Sequence, residues 1–247
     1  MPASRRILIL GGTTEARALA DALSAKGRAV ITSLAGRTIQ PRRPQGEVRI
    51  GGFGGAAGLA DYLRSTAIDA LVDATHPYAA AISAHAIEAA GSAGLPLLRF
   101  ERAPWQPQKG DRWIVVDTLA AAAKVTSELG KRAFLTIGVK ELGRFAGVDN
   151  VWFLVRLVDR PGEPIALKNY QLILARGPFD AADERDLLRR HGIDVLIAKN
   201  SGGDSTYGKI AAARELGLPV LLLRRPVLSA ARTVTAMAEA IAWVEAL

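Results

Sequence analysis

Short, nearly continuous apolar runs alternate with longer helix-like stretches through almost all of the 247 residues, and this alternation constrains the fold most strongly. The expected strands are Ile7–Leu10, Ala29–Leu34, Val48–Ile50, Ala70–Asp73, Leu95–Phe100 and Trp113–Val116. They continue with Ala133–Ile137, Trp152–Leu157, Gln171–Ala175, Val195–Ala198 and Val220–Leu223. The expected helices are Glu15–Ala25, Ala57–Arg64, Tyr78–Ala90, Leu119–Leu129, Ala181–Arg190, Gly208–Leu216 and Thr233–Ala246. Strands that are apolar at consecutive positions are buried on both faces, and helices alternating with parallel strands bury them. The fold class is therefore α/β. Eleven strands are many for one open sheet. Two domains are expected, residues 1–130 and 131–247, with the irregular stretch Arg102–Gly110 as a possible linker or long loop.

The chain has no cysteine, which excludes disulfide frameworks, thiol nucleophiles and cysteine-ligated metal. The three histidines, His76, His85 and His191, have no metal-ligand spacing, and no metal site is expected. The formal charge of +8 favours anionic ligands, but the cations are dispersed and no nucleic-acid-binding motif accompanies them. Arg5-Arg6 precede too short an apolar run for a signal peptide, and no run approaches a membrane span. A soluble, cytoplasmic protein is expected, with neither nucleic acid nor membrane as partner.

Strand Ile7–Leu10 runs directly into Gly11-Gly12-Thr13-Thr14-Glu15 and a helix. Adjacent glycines let the backbone approach a pyrophosphate, and the helix N-terminus offers free amides and a positive dipole end. A tight strand-to-helix turn is the plainer alternative, because the usual three-glycine spacing is absent. NAD-binding domains end the next strand with a carboxylate that holds the ribose 2′-hydroxyl. Here that stretch is Ser33-Leu-Ala35-Gly36-Arg37-Thr38, which has no carboxylate and an arginine suited to a 2′-phosphate. The cofactor reading is therefore NADPH. Gly51-Gly52-Phe-Gly54-Gly55 allows a second close approach, and Asp73-Ala-Thr75-His76-Pro77 closes another strand where ligands of open α/β sheets lie.

In the second half, Lys140, Arg176 and Lys199 each follow a strand end, and Asn200-Ser201-Gly202 follow Lys199. Each cation alone reads as surface charge. Three on one sheet would line a pocket for carboxylates. Gly-x-Ser-x-Gly, the phosphate-binding P-loop and Tyr-x-x-x-Lys are all absent.

Taken in order, Leu8-Ile-Leu-Gly-Gly-Thr-Thr-Glu-Ala-Arg17, Ala35-Gly-Arg37, Gly51-Gly-Phe-Gly-Gly55 and Asp73-Ala-Thr-His-Pro77 resemble the precorrin-6A reductase family of cobalamin (corrin) biosynthesis. Phe100-Glu-Arg-Ala-Pro-Trp105, Ala175-Arg-Gly-Pro-Phe179 and Ala198-Lys-Asn-Ser-Gly-Gly203 continue the resemblance over nearly the whole chain. It implies two Rossmann-like domains with mostly parallel sheets and a cleft between them. It also implies hydride transfer from NADPH to a conjugated C=C/C=N system of a polycarboxylate tetrapyrrole, metal-free or cobalt-bound, giving precorrin-6B. Gly11, Gly12, Thr13, Thr14, Glu15, Ser33, Ala35, Gly36, Arg37, Thr38, Gly52, Gly54, Thr75, His76 and Pro77 are the expected cofactor residues. Lys140, Arg176, Lys199, Asn200, Ser201 and Gly202 are the expected substrate residues. Lys140, Lys199, His76 or a water is the candidate proton source. Neighbouring enzymes of the corrin pathway are candidate partners. Another NADPH-dependent reductase and a non-catalytic NADP(H) sensor are the alternatives.

Overall fold

A computed structural model describes residues 5–36, 44–228 and 231–247. In chain order the elements begin with β1 (Arg6–Leu10), α1 (Thr14–Ala25), β2 (Ala29–Leu34), β3 (Glu47–Ile50) and α2 (Ala56–Ser65). Next come β4 (Ala70–Asp73), α3 (Ala80–Ala93), β5 (Leu97–Phe100), β6 (Arg112–Val116) and α4 (Leu119–Leu129). Then follow β7 (Arg132–Thr136), a 3-10 turn (Val139–Phe145), β8 (Trp152–Leu157), β9 (Tyr170–Leu174) and α5 (Ala181–Arg190). The chain ends with β10 (Val195–Lys199), α6 (Gly208–Glu215), β11 (Pro219–Leu223), β12 (Arg232–Val234) and α7 (Met237–Glu245).

The strands form two six-stranded sheets, β12-β5-β4-β1-β2-β3 and β6-β11-β10-β7-β8-β9, and every pairing is parallel. In the first, Ile7 and Ile9 of β1 pack with Leu19 and Leu23 of α1 and with Ala240 and Val244 of α7. Leu8 and Leu10 face the other way, onto Leu59 and Leu63 of α2 and Ala86 and Ala90 of α3. One strand buried on both faces explains why its sequence is apolar at every position. The second sheet buries Phe134, Leu154, Leu196 and Leu222 against Leu188 of α5 and Ile210 of α6.

The two compact units are residues 1–103 with 226–247, and residues 104–225. A boundary at 130 is not where the chain divides. The strand at 112–116 pairs with β11 and so belongs to the second sheet, and β12 returns to pair with β5 of the first. The first unit is therefore discontinuous. The segment after residue 103 is fixed to the second unit: Asn200 Oδ1 accepts from the Trp105 amide at 2.8 Å, and Trp105 Nε1 donates to the Gly203 carbonyl at 2.8 Å. The helix expected from Thr233 starts at Met237 instead. The β-branched Thr233 and Val234 extend as a strand, which suits their restricted side chains.

Candidate functional site

The first sheet has the strand order 3-2-1-4-5 of dinucleotide-binding domains, extended by β12 beyond β5. Its order reverses between β1 and β4, so ligands belong in the crevice outside the carboxyl ends of those two strands. Three backbone bonds join the ends: Gly11 N to Ser33 O at 2.9 Å, Ala74 N to Leu10 O at 3.0 Å and Gly51 N to Leu34 O at 2.9 Å. At Gly12 the backbone φ is +110°, a value that side-chain-bearing residues rarely adopt, and nothing lies within 4 Å of where a Cβ would project.

Thr13 caps α1. Its Oγ1 accepts from the Ala16 amide at 3.0 Å and donates to the Ala74 carbonyl at 2.9 Å, so its one hydroxyl proton is committed to the residue that follows β4. The first turn leaves the Thr14 and Glu15 amides without intrahelical acceptors. The Glu15 carboxylate pairs with Arg102 Nη1 at 3.0 Å, which offsets a negative charge at the helix end that would attract an anion. At the end of β4, Asp73 is buried and turned inward rather than toward the crevice. Its Oδ1 accepts from the Thr75 hydroxyl at 2.6 Å and amide at 3.1 Å, while Oδ2 lies 3.4 Å from Arg99 Nε. The Tyr78 amide donates to His76 Nδ1 at 3.3 Å, which places the proton of the neutral imidazole on Nε2.

The second sheet reverses its order between β7 and β10. Lys199 ends β10 there, and its Nζ contacts Glu141 Oε1 at 2.7 Å. Lys140 is exposed beside a cavity of about 420 Å³ lined by Val139, Leu142 and the loop from Pro161 to Ala166. Ser201 donates its amide to the Lys199 carbonyl at 2.7 Å, and Gly202 takes a left-handed φ of +68°.

The family model described as "Precorrin-6x reductase CbiJ/CobK" matches residues 6–245. The chain belongs to the precorrin-6x reductase family. It is 52% identical to a precorrin-6A reductase of Rhodococcus erythropolis over 98% of both chains. It is 44% identical to one of Rhodobacter capsulatus, covering 97% of this chain and 95% of the relative. The solved structure titled "CobK precorrin-6A reductase" has a TM-score of 0.94 at 43% identity, covering 98% of this chain and 96% of that one. The family match spans residues of both units.

In this reductase family member, the expected cofactor residues Gly11, Gly12, Thr13, Thr14, Glu15, Ser33, Thr75, His76 and Pro77 gather at the ends of β1, β2 and β4. Ala35 and Gly36 follow β2, and Gly52 and Gly54 follow β3. Arg37 and Thr38 lie outside the described residues. The second-half cations do not share one strand end. Arg176 follows β9, three strands from β10, or roughly 14 Å at the usual strand spacing. It lies 3.8 Å from Asp159 instead. The Asn200 side chain is used structurally: it accepts from the Trp105 amide and its Nδ2 donates to the Trp105 carbonyl at 3.2 Å. Sequence reasoning missed Glu141, whose only signal was its nearness to Lys140, and Arg49 of β3, which stands between two apolar residues.

Among the described residues, no helix is long and apolar enough to cross a membrane.

Proposed function

We propose that this protein reduces precorrin-6A to precorrin-6B with NADPH, in cobalamin biosynthesis. The observation that carries the reading is the β1/β4 crevice. There, a positive-φ glycine with open space above it meets the N-terminus of a long helix at the reversal of a dinucleotide-type sheet. That donor set fits a pyrophosphate: backbone amides, a positive dipole end and no uncompensated carboxylate. Gly12, Thr14 and Glu15 would hold the phosphates through their amides. Arg37, with Ser33 and Thr38, would hold the adenosine 2′-phosphate, and Ala35, Gly36, Gly52, Gly54, Thr75 and Pro77 would shape the adjoining walls. When bound, NADPH supplies a hydride.

The chain's own residues then bind, orient and protonate. Lys199, with Glu141 fixing its ammonium, and Lys140 bind acetate and propionate groups of the macrocycle as charge-assisted pairs. Arg176, Ser201 and Gly202 line the same end of the second sheet. Two electrons and two hydrogens are added overall: the hydride, and one proton from the ammonium of Lys140 or Lys199, from water, or from His76 once it is an imidazolium. The substrate's many carboxylates account for the basic chain, because opposite charge concentrates substrate and steers its approach.

Anaerobic incubation of purified protein with precorrin-6A tests this. Expected is one NADPH oxidised per macrocycle, a product heavier by two hydrogens, and much slower turnover with NADH. No turnover with NADPH, using metal-free and cobalt-bound substrate alike, would overturn it.

A further inference from the structure

The carboxyl end of β2 receives a cation from the neighbouring strand. Ser33 and Arg49 are in register across the parallel β2/β3 pair, so their side chains project on the same face. Arg49 Nη1 lies 3.4 Å from Ser33 Oγ and 2.6 Å from the Gly51 carbonyl, and Nη2 donates to the Gly52 carbonyl at 2.6 Å. Its guanidinium carbon sits 3.8 Å from the centre of the Phe53 ring. Among the described residues no carboxylate pairs with it, and these bonds leave Nε–H and one Nη2–H without an acceptor. A half-buried guanidinium is thus held by two carbonyls and a ring, with its charge uncompensated. It stands at the strand end where dinucleotide-binding domains read the ribose 2′ group.

We propose that Arg49 is a specificity-determining residue for the 2′-phosphate of NADPH. The proposal rests on the cofactor reading above and adds a residue that reading does not contain. A planar fork suits phosphate oxygens, and a side chain already fixed by stacking loses little freedom on binding. The two carbonyl bonds also shape the Gly51–Gly55 loop, so cation and loop are presented together.

The test is calorimetric titration of the whole chain with 2′,5′-ADP and with 5′-AMP, which differ only in the 2′-phosphate. Unaltered protein is expected to prefer 2′,5′-ADP by at least about tenfold, the scale of one hydrogen bond to a charged group. R49M is expected to lose most of that preference while binding 5′-AMP within about threefold of the original. R49K, which keeps charge without the fork, is expected to fall between, and it decides the matter should R49M not fold. Preference retained in both variants, or an equal loss for both ligands, overturns the proposal while leaving the NADPH reading intact. No preference in the unaltered protein overturns both.

Discussion

The two sheets reverse their strand order in the same manner, yet the crevices they create are chemically unlike. In the first unit, α1 begins at Thr14, four positions after β1 ends at Leu10, so amides and a helix dipole arrive at the crevice directly. In the second unit, β7 is followed by a 3-10 turn, and α6 begins at Gly208, nine positions after Lys199 ends β10. Lys140 and Lys199 stand at those strand ends, so side chains bring positive charge there. One topology thus offers two ways to receive an anion. A backbone cradle suits a phosphate of fixed shape, and ammonium groups on separate strand ends suit carboxylates scattered around a macrocycle.

The contrast can be broken where it is sharpest. Lys199→Met is expected to lower kcat/KM for precorrin-6A by about 100-fold, the scale of one lost charged stabiliser, with the Kd for NADPH unchanged. A parallel loss of NADPH affinity would mean that the two crevices do not divide the ligands. Next in size, Gly12→Ala forces a Cβ onto a φ of +110° and is expected to weaken NADPH about tenfold, through strain of about 1–2 kcal/mol. Equilibrium binding by cofactor fluorescence reads this directly, and unchanged affinity would remove the cradle from the account.

Asn200→Ala separates clamp from ligand. Losing both bonds to the Trp105 backbone is expected to cost about 1–3 kcal/mol and lower Tm by several degrees, with NADPH binding intact. Unchanged Tm with a raised KM would return Asn200 to the substrate.

The smallest effect belongs to His191, at the end of α5. Burial, then repulsion from Arg190 and Arg132, lowers its pKa below the ordinary value of 6.5. The unfolded chain therefore takes up this proton at higher pH than the folded one. The histidine leaves stability unaffected well above pH 6.5 and reduces it as pH falls through that value toward the folded pKa. Urea midpoints at pH 7.5 and 5.5 are expected to differ less in His191→Gln than in the unaltered protein. A pH dependence that the variant leaves unchanged would assign that change to other groups.

Much of this architecture is legible because doubly buried strands must be apolar throughout, as Ile7–Leu10 and Val195–Ala198 are. The division into units is not legible locally. Val116 pairs with Leu223 and Val234 with Phe100, and such distant partners leave no mark on either segment alone. Thr233-Val234 read as the start of a helix because the apolar period of α7 follows immediately. In the site, the glycine turn announced itself by composition. Arg49 did not, since a charged residue between Val48 and Ile50 looks like the solvent face of an edge strand. Asn200 reads as a ligand contact because it is a polar residue beside a lysine, and its bonds to the Trp105 backbone become visible only in the fold.

The interrupted first unit ties distant parts of the chain into one core. Residues 104–225 carry a complete sheet with its helices in one continuous stretch, whereas the other unit takes β12 and α7 from beyond that stretch. Without Val234, Ala240 and Val244, Ile7, Ile9 and Phe100 would have one wall of their packing missing. The core of the first unit is therefore closed only when residues from both ends of the chain meet.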